Sequence, residues 1–206
     1  KLPDFLQQLT MESNGKRVSE AGTALDYGTG PVLWGSAGTM GQHSFHQLLH
    51  QGTRLCPADF ILPLTTHTGM TEQHRQLVAN CRAQSRTLMV GRSVTAAPRA
   101  LLQRGLDEAE ATRLAPHLAM PGNRPSNVIT MASLNPATLG ALLALYEHRT
   151  FCSGQLWGIN PFDQWGVELG KEIGVEILGQ LSGEASPAAM DPATDRLMAA
   201  WRQAQA

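Results

Sequence analysis

The chain has 206 residues, of which 42% are hydrophobic and 16% charged, and its formal net charge is -1. This composition is typical of a folded domain rather than a disordered segment. A net charge so close to zero argues against a partner with a nucleic-acid backbone or an anionic membrane surface. No apolar run approaches the roughly 18 residues that a membrane-spanning helix requires.

The cysteines and the N-terminus indicate where the protein works. Cys56, Cys81 and Cys152 are odd in number, widely spaced and without a CxxC pair, which is typical of reduced thiols in the cytosol. The N-terminus begins with Lys1 instead of Met and lacks the basic-then-apolar pattern of a signal peptide. We therefore expect a cytoplasmic protein whose sequence is entered part-way through a longer chain.

The first predicted element is a helix over residues 4–13. Asp4 can cap its first turn, apolar residues recur at helical spacing, and Asn14-Gly15 provides a stop signal. Residues 16–30 are polar and rich in glycine, which predicts a loop.

From residue 31 onward, short apolar runs alternate with longer amphipathic segments. Uninterrupted apolar strands between helices predict an α/β fold with a parallel sheet covered on both faces. The predicted strands are 31–35, 60–62, 128–131 and 155–159. The predicted helices are one that ends at Gly52, then 71–90, 107–115, 136–154 and 163–181, the last of them capped by Asp163.

A linker rich in Ser, Pro and Ala follows Gly183 and leads to a final helix that Asp191-Pro192 opens. We expect residues 1–186 to form one domain and residues 187–206 to form the linker and a terminal helix that docks on this domain or on a partner subunit. The apolar residues that this helix offers for burial are Leu197, Met198 and Trp201.

Gln8 and Glu12 are the first candidates for chemistry. Four residues apart on a helix, they lie on one face. A carboxylate beside a neutral amide has the form of a proton-shuttling base with a hydrogen-bonding neighbour. The alternative is an ordinary solvated helix face.

A second candidate is the glycine-rich turn over residues 35–41, which precedes His43. Glycines leave backbone amides open to an anion where a helix begins, and His43 in the first helical turn can act as an acid or base near neutral pH. The turn matches neither a Walker A loop nor a dinucleotide fingerprint. The alternatives are a plain tight connection and a structural histidine.

A third candidate is the segment that opens the helix at Asp163. Gln164 falls in the predicted first turn, where it can face a ligand, and Lys171 lies two turns further on. Lys171 can reach toward a substrate or simply form a surface ion pair with Glu168. The spacing leaves both interpretations open.

Several blocks of sequence together resemble the glucose-6-phosphate isomerase family. The longest is the C-terminal signature of the family, Phe162-Asp163-Gln164-Trp165-Gly166-Val167-Glu168-Leu169-Gly170-Lys171. Others in the same order are Met11-Glu12-Ser13-Asn14-Gly15-Lys16, Gly41-Gln42-His43, His50-Gln51-Gly52-Thr53, Gly122-Asn123-Arg124-Pro125 and Tyr146-Glu147-His148. The resemblance spans nearly the whole chain and weakens over residues 95–120 and after Gly183.

This resemblance implies the fold and the reaction. The fold is a three-layer α/β/α sandwich of the sugar-isomerase (SIS) type, with a mostly parallel, doubly wound sheet and a C-terminal helical tail. Glu12 is implied as the base that moves a proton between C2 and C1 of glucose 6-phosphate through a cis-enediol, without a metal or organic cofactor. His43 and Lys171 are implied in ring opening, and Gln8 and Gln164 in holding the phosphate.

The resemblance also implies partners. His43 of each subunit enters the neighbouring active site of a homodimer, and an earlier SIS domain supplies a phosphate cradle and an active-site arginine. We expect the chain to be a fragment that is inactive without that domain. The alternatives are a non-catalytic SIS module that binds a sugar phosphate, and a secreted signalling role, which the free cysteines and the missing leader do not support.

Overall fold

The computed structural model describes residues 1–183 and 189–205. The predicted domain boundary between residues 186 and 187 lies outside the described residues. The helices are α1 (Leu2–Gln7), α2 (Gly38–Ser44), α3 (His46–Gln51), α4 (Thr71–Val90), α5 (Ala97–Leu102), α6 (Glu108–Leu118), α7 (Pro136–Leu156), α8 (Glu168–Ser182) and α9 (Pro192–Gln205). A π-helical segment, Gln8–Glu12, continues α1, and a 3₁₀ turn, Trp165–Val167, precedes α8.

The sheet confirms the predicted α/β class and its parallel pairing. Strand β1 (Ala58–Thr65) pairs in parallel with β2 (Ser126–Ser133), and Phe60 lies opposite Val128. Parallel strands need a crossover connection, and here it contains α4, α5 and α6. Helix α4 contacts both strands.

Two of the four predicted strands are wrong. Residues 31–35 belong to no strand, because an apolar run becomes a strand only where a neighbour pairs with its backbone. Gln155 and Leu156 are the last residues of α7. Gly158 then takes a φ of 61° and the Ile159 amide donates to the Gly154 carbonyl at 3.1 Å, so the fourth run is a glycine-terminated helix end.

The predicted helices are confirmed in outline. Helix α4 has the predicted bounds, and Asp107 caps α6 by accepting a hydrogen bond from the Glu110 amide at 2.8 Å. The helix that ends at Gly52 is interrupted at Phe45. In α9, Asp191 accepts from the Thr194 amide at 3.1 Å. Of the three apolar residues that we expected α9 to bury, Met198 is buried, whereas Leu197 and Trp201 are exposed.

The chain divides into two compact units. The first unit comprises Lys1–Gln7 and Val32–Phe151, and the second comprises Gln8–Pro31 and Cys152–Ala206. In the first unit, Leu62 of β1 and Leu88 of α4 are fully buried, and small residues let α5 and α6 approach closely. In the second unit, the fully buried residues include Ile159 and Asn14.

Candidate active site

The predicted Gln8 and Glu12 lie at the two ends of the π-helical segment. Both side chains are exposed. A π-helical turn inside an α-helix is rare and frequently marks a functional site. No propensity or spacing rule signals such a turn, so an α-helix was predicted here, whereas the structure has a wider helical turn that carries both residues.

The helical turn that follows this segment ends at Gly15. The Gly15 amide donates to the Met11 carbonyl at 3.0 Å, and a Cβ at this position would collide with that same carbonyl oxygen. Glycine is therefore required here by the close approach of the Met11 carbonyl.

Lys16 connects the Glu12 segment to the loop before Gln164. Its Nζ donates to the carbonyl oxygens of Glu12 at 2.7 Å, Ser13 at 2.8 Å and Asp163 at 2.8 Å. It also lies 3.2 Å from Asp163 Oδ1. Residue 12 and the residue that precedes Gln164 are therefore neighbours in the second unit, although they are separated by 151 positions in the sequence.

The Asp163 side chain does not cap the following helix, contrary to our prediction. Its Oδ2 accepts from Asn160 Nδ2 at 2.9 Å, and its other oxygen faces the Lys16 ammonium. Because the carboxylate is occupied in this way, the helix begins later, with the 3₁₀ turn at Trp165, and Gln164 precedes it. Phe162 has a φ of 66°, which is an uncommon conformation for a bulky residue.

Gln164 and Lys171 are both exposed. Lys171 Nζ lies 3.0 Å from Glu168 Oε1, and more than 40% of each side chain is accessible to solvent. The surface ion pair is therefore formed. A pair this exposed contributes only a few tenths of a kcal/mol, so a bound ligand can compete for the ammonium group at little cost.

His43 belongs to the first unit, whereas the other four predicted residues belong to the second. It lies in the last turn of α2, not in the first turn as expected, because the helix already begins at Gly38. The Gly41 amide donates a hydrogen bond to the Ala37 carbonyl at 2.9 Å, and a Cβ on Gly41 would lie 2.8 Å from the Phe45 ring. This glycine thus serves helix packing and does not present its amide to an anion. His43 itself is exposed.

The first unit contains a polar cluster of His46, His50 and Gln84, for which no role was predicted from the sequence. Gln84 Oε1 accepts from His46 Nδ1 at 3.1 Å and from His50 Nε2 at 2.8 Å. His46 and His50 are both buried. A cavity of about 300 Å³ lies beside His50 and Gln84, and a second of about 420 Å³ adjoins Arg92, but neither is lined by any of the five predicted site residues. The signal for the cluster in the sequence was a pair of histidines four apart on one helix.

Within residues 1–183 and 189–205, no group of three or more His, Cys, Asp or Glu side chains is arranged to hold a metal ion. In the same part of the chain, the longest apolar helices fall short of what a bilayer crossing demands. All three cysteines are free thiols.

Comparison with known proteins agrees with the resemblance in the motifs. The sequence model of the family described as phosphoglucose isomerase matches residues 1–198. The chain is 54% identical over 204 residues to the glucose-6-phosphate isomerase of Hahella chejuensis, and 52% identical over 202 residues to that of Shewanella sp. (strain ANA-3). In each case the match covers 98% of this chain and 37% of the relative.

A solved structure has the same fold. The crystal structure of a glucose-6-phosphate isomerase from Chlamydia trachomatis superimposes with a TM-score of 0.75 at 36% identity, over 98% of this chain and 35% of that one. A sequence match over nearly the whole chain and a shared three-dimensional fold lead to one assignment. The chain belongs to the phosphoglucose isomerase family.

Proposed function

We propose that this chain carries catalytic residues of an isomerase that interconverts glucose 6-phosphate and fructose 6-phosphate. The proposal names Glu12 as the base, His43 and Lys171 as the groups that act in ring opening, and Gln8 and Gln164 as phosphate ligands. The chain spans 37% of the length of its relatives. We propose that it acts together with a further SIS domain and has no useful turnover by itself.

The observation that carries this proposal is the Lys16 contact between the Glu12 and Asp163 backbones, at 2.7 and 2.8 Å. It supports the proposal because two sequence blocks distant along the chain meet where the reaction needs both a base and ligands for a sugar phosphate. The rare π-helical turn under Glu12 is a second support.

The proposed reaction balances within the substrate. Glu12 takes the proton from C2, the electrons of that bond form the C1–C2 double bond of the cis-enediol, and the electron pair of the C1 carbonyl passes to O1, which takes up the proton that the C2 hydroxyl releases. The Glu12 carboxylic acid then gives its proton to C1, and the electron pair left on O2 forms the ketone at C2. One base serves both carbons because both present a proton on the same side of a planar intermediate.

His43 is proposed to reach the active site of a partner subunit in a homodimer. Its exposed position in the first unit supports a role outside its own surroundings. The free thiols of all three cysteines are compatible with a cytoplasmic location, which is also part of the proposal.

The alternative is a module that binds a sugar phosphate without turning it over. The two functions differ in their need for Glu12, because a binding module has no use for a base. Substitution of this residue therefore distinguishes them.

Glu12→Gln in the protein expressed from the complete gene tests the proposal. We expect kcat to fall by about 100- to 10,000-fold, the usual contribution of a general base, with KM changed by less than about threefold, since neutral Gln keeps the shape of the side chain. Coupled assays in both directions of the reaction measure this. Glu176→Gln, an exposed carboxylate of α8, is the matched control and should retain wild-type kcat. Full turnover in Glu12→Gln would exclude Glu12 as the base.

A further inference from the structure

We propose that Lys16 is a positioning residue for the isomerisation, because its ammonium group fixes the backbone of Glu12 against the loop that carries Gln164. The inference rests on the proposed function. It assigns to Lys16 no contact with the substrate, and its effect on the reaction is exerted through Glu12.

The geometry uses the full donor capacity of the side chain. An ammonium group has three N–H donors, and here they meet three carbonyl oxygens at 2.7, 2.8 and 2.8 Å. The 3.2 Å contact with Asp163 Oδ1 is then a charge interaction without a hydrogen bond, which agrees with the absence of a hydrogen-bond partner for that oxygen among the described residues. Three directed hydrogen bonds fix a point in space far better than an ion pair alone.

The pair is also shielded from solvent, unlike the other lysines. The side chains of Lys16 and Asp163 are 15% and 24% exposed, whereas Lys1 is fully exposed and Lys171 is 60% exposed. Taking two charges out of water costs free energy that their attraction only partly returns. A shielded pair is therefore weak support for stability, and what it provides most clearly is a defined geometry.

The loop that Lys16 holds needs such a constraint. Phe162 has a φ of 66°, a conformation that is unfavourable for a bulky residue and persists only where surrounding contacts enforce it. The neighbouring Asp163 is held through both its carbonyl and its carboxylate. Without Lys16 the loop can relax, and Gln164 is then no longer held in a fixed position relative to the Glu12 segment.

A displacement of Glu12 affects proton transfer more than it affects substrate binding. A displacement of a reacting group by about 1 Å can lower a rate by about 100-fold. The phosphate, by contrast, is proposed to bind also to the cradle of the further SIS domain, which Lys16 does not hold. Lys16 substitutions should therefore act on kcat and leave KM nearly unchanged.

The experiment compares Lys16→Met and Lys16→Gln with Lys1→Met in the protein expressed from the complete gene. Met keeps the length of the side chain without donors, and Gln restores two neutral donors. We expect kcat to fall by about 10- to 100-fold for Met and by less for Gln, with KM within about threefold of wild type. Lys1→Met removes an exposed charge and should leave kcat and KM unchanged.

A double-mutant cycle with Glu12→Gln separates positioning from a general structural role. If Lys16 acts through Glu12, Lys16→Met should lower the residual rate of Glu12→Gln by less than about threefold. An independent structural effect would instead multiply the two losses, and that result overturns the inference.

Chemical rescue supplies a second readout. Lys16→Cys treated with bromoethylamine regains an ammonium group at nearly the length of lysine, and kcat should recover at least about tenfold over the untreated variant. Wild-type protein treated in the same way controls for modification of the native cysteines. No recovery overturns the inference, and so does a failure of both Lys16→Met and Lys16→Gln to fold, since Lys16 would then be a structural residue.

The outcomes distinguish this inference from the proposed function. Wild-type kcat in Glu12→Gln contradicts the proposed function whatever the Lys16 variants do. A large loss in Glu12→Gln together with wild-type kcat in both Lys16 variants leaves the function in place and overturns only the role of Lys16.

Discussion

The Asp59 carboxylate accepts hydrogen bonds from three side chains that come from distant parts of the first unit. Its Oδ2 accepts from Tyr146 Oη at 3.1 Å and from Arg149 Nη1 at 2.9 Å, and its Oδ1 accepts from Asn127 Nδ2 at 2.8 Å. Burial, and then the neighbouring Asp59 carboxylate, raise the pKa of Tyr146 to about 12, because both disfavour the phenolate. The network links β1, β2 and α7.

The raised pKa of Tyr146 predicts a loss of stability in alkaline solution. Between pH 10.0, the ordinary pKa, and about pH 12, Tyr146 stays protonated in the native state but loses its proton in the unfolded state. The contribution of Tyr146 to the free energy of unfolding is therefore fully present below pH 10 and is lost as the pH rises through 12, and two pKa units at 1.36 kcal/mol each set its upper limit at about 2.7 kcal/mol. Urea unfolding of the wild type at several pH values measures this loss.

Tyr146→Phe removes the titrating group and should lack this part of the pH dependence. At neutral pH it should be less stable than the wild type by about 1 kcal/mol, because Asp59 loses a partly buried hydrogen bond. Tyr27→Phe removes the other tyrosine of the chain and leaves the Asp59 network intact, so its alkaline loss should match the wild type. An unchanged slope between pH 10 and 12 in Tyr146→Phe would contradict the assignment.

Contacts at the residue scale could not be predicted from the sequence. Asp59 and Tyr146 are 87 positions apart, and Lys16 and Asp163 are 147 apart. Local spacing correctly offered an ion pair between Glu168 and Lys171, which lie three apart on one helix. It gave no indication that all three donors of the Lys16 ammonium group would bind backbone carbonyl oxygens.

Among the elements, the π-helical segment depends on a loop that crosses its end. Gly30 has a φ of 38°, and a Cβ there would lie 2.7 Å from the carbonyl carbon and oxygen of Asn14 and 2.8 Å from the Gly15 amide nitrogen. The crossing therefore requires glycine both for its backbone conformation and for space.

Gly30→Ala should lower the free energy of unfolding by about 2 kcal/mol or more, because both the positive φ and the backbone collision are unfavourable. Gly28→Ala is the matched control, since a Cβ on Gly28 meets nothing within 4 Å, and it should stay within about 0.5 kcal/mol of wild type. Urea unfolding compares the two. Equal stability of the two variants would show that the loop does not need glycine at residue 30.

Helices were predicted well and strands poorly for one physical reason. Helix signals such as the caps at Asp107 and Asp191 are local, so a short stretch of sequence contains them. A strand depends on a partner that lies elsewhere in the chain. The runs at 31–35 and 155–159 had the composition of buried strands, but one forms no ladder and the other ends α7.

At the scale of the whole molecule, the two units divide the candidate residues unequally. Gln8, Glu12, Gln164 and Lys171 belong to the second unit, and His43 belongs to the first. Residue chemistry alone produced this shortlist together with equally ordinary alternatives, and the family motifs supplied the roles. The assignment of those roles stays a prediction that depends on which subunit supplies His43.

Complementation between inactive variants tests that dependence. In the proposed homodimer, co-expression of Glu12→Gln and His43→Gln subunits with two different affinity tags allows the mixed dimer to be purified. If His43 serves the neighbouring subunit, one site of the mixed dimer carries both defects and the other carries neither, so the mixed dimer should show about half of wild-type activity. If each chain uses its own His43, both sites are defective and no activity returns.

The matched control is a mixed dimer of Glu12→Gln and Lys171→Met. Glu12 and Lys171 are proposed to act in the same subunit, so each site of this dimer lacks one of them and activity should stay at the level of the single variants. Recovery in the His43 mixture without recovery in the Lys171 mixture requires an active site built from two subunits. Recovery of activity in both mixtures, or in neither, contradicts a site that takes Glu12 and Lys171 from one subunit and His43 from the other. In such a site, a mixed dimer regains one intact active site only when the two defects affect residues that different subunits supply to it.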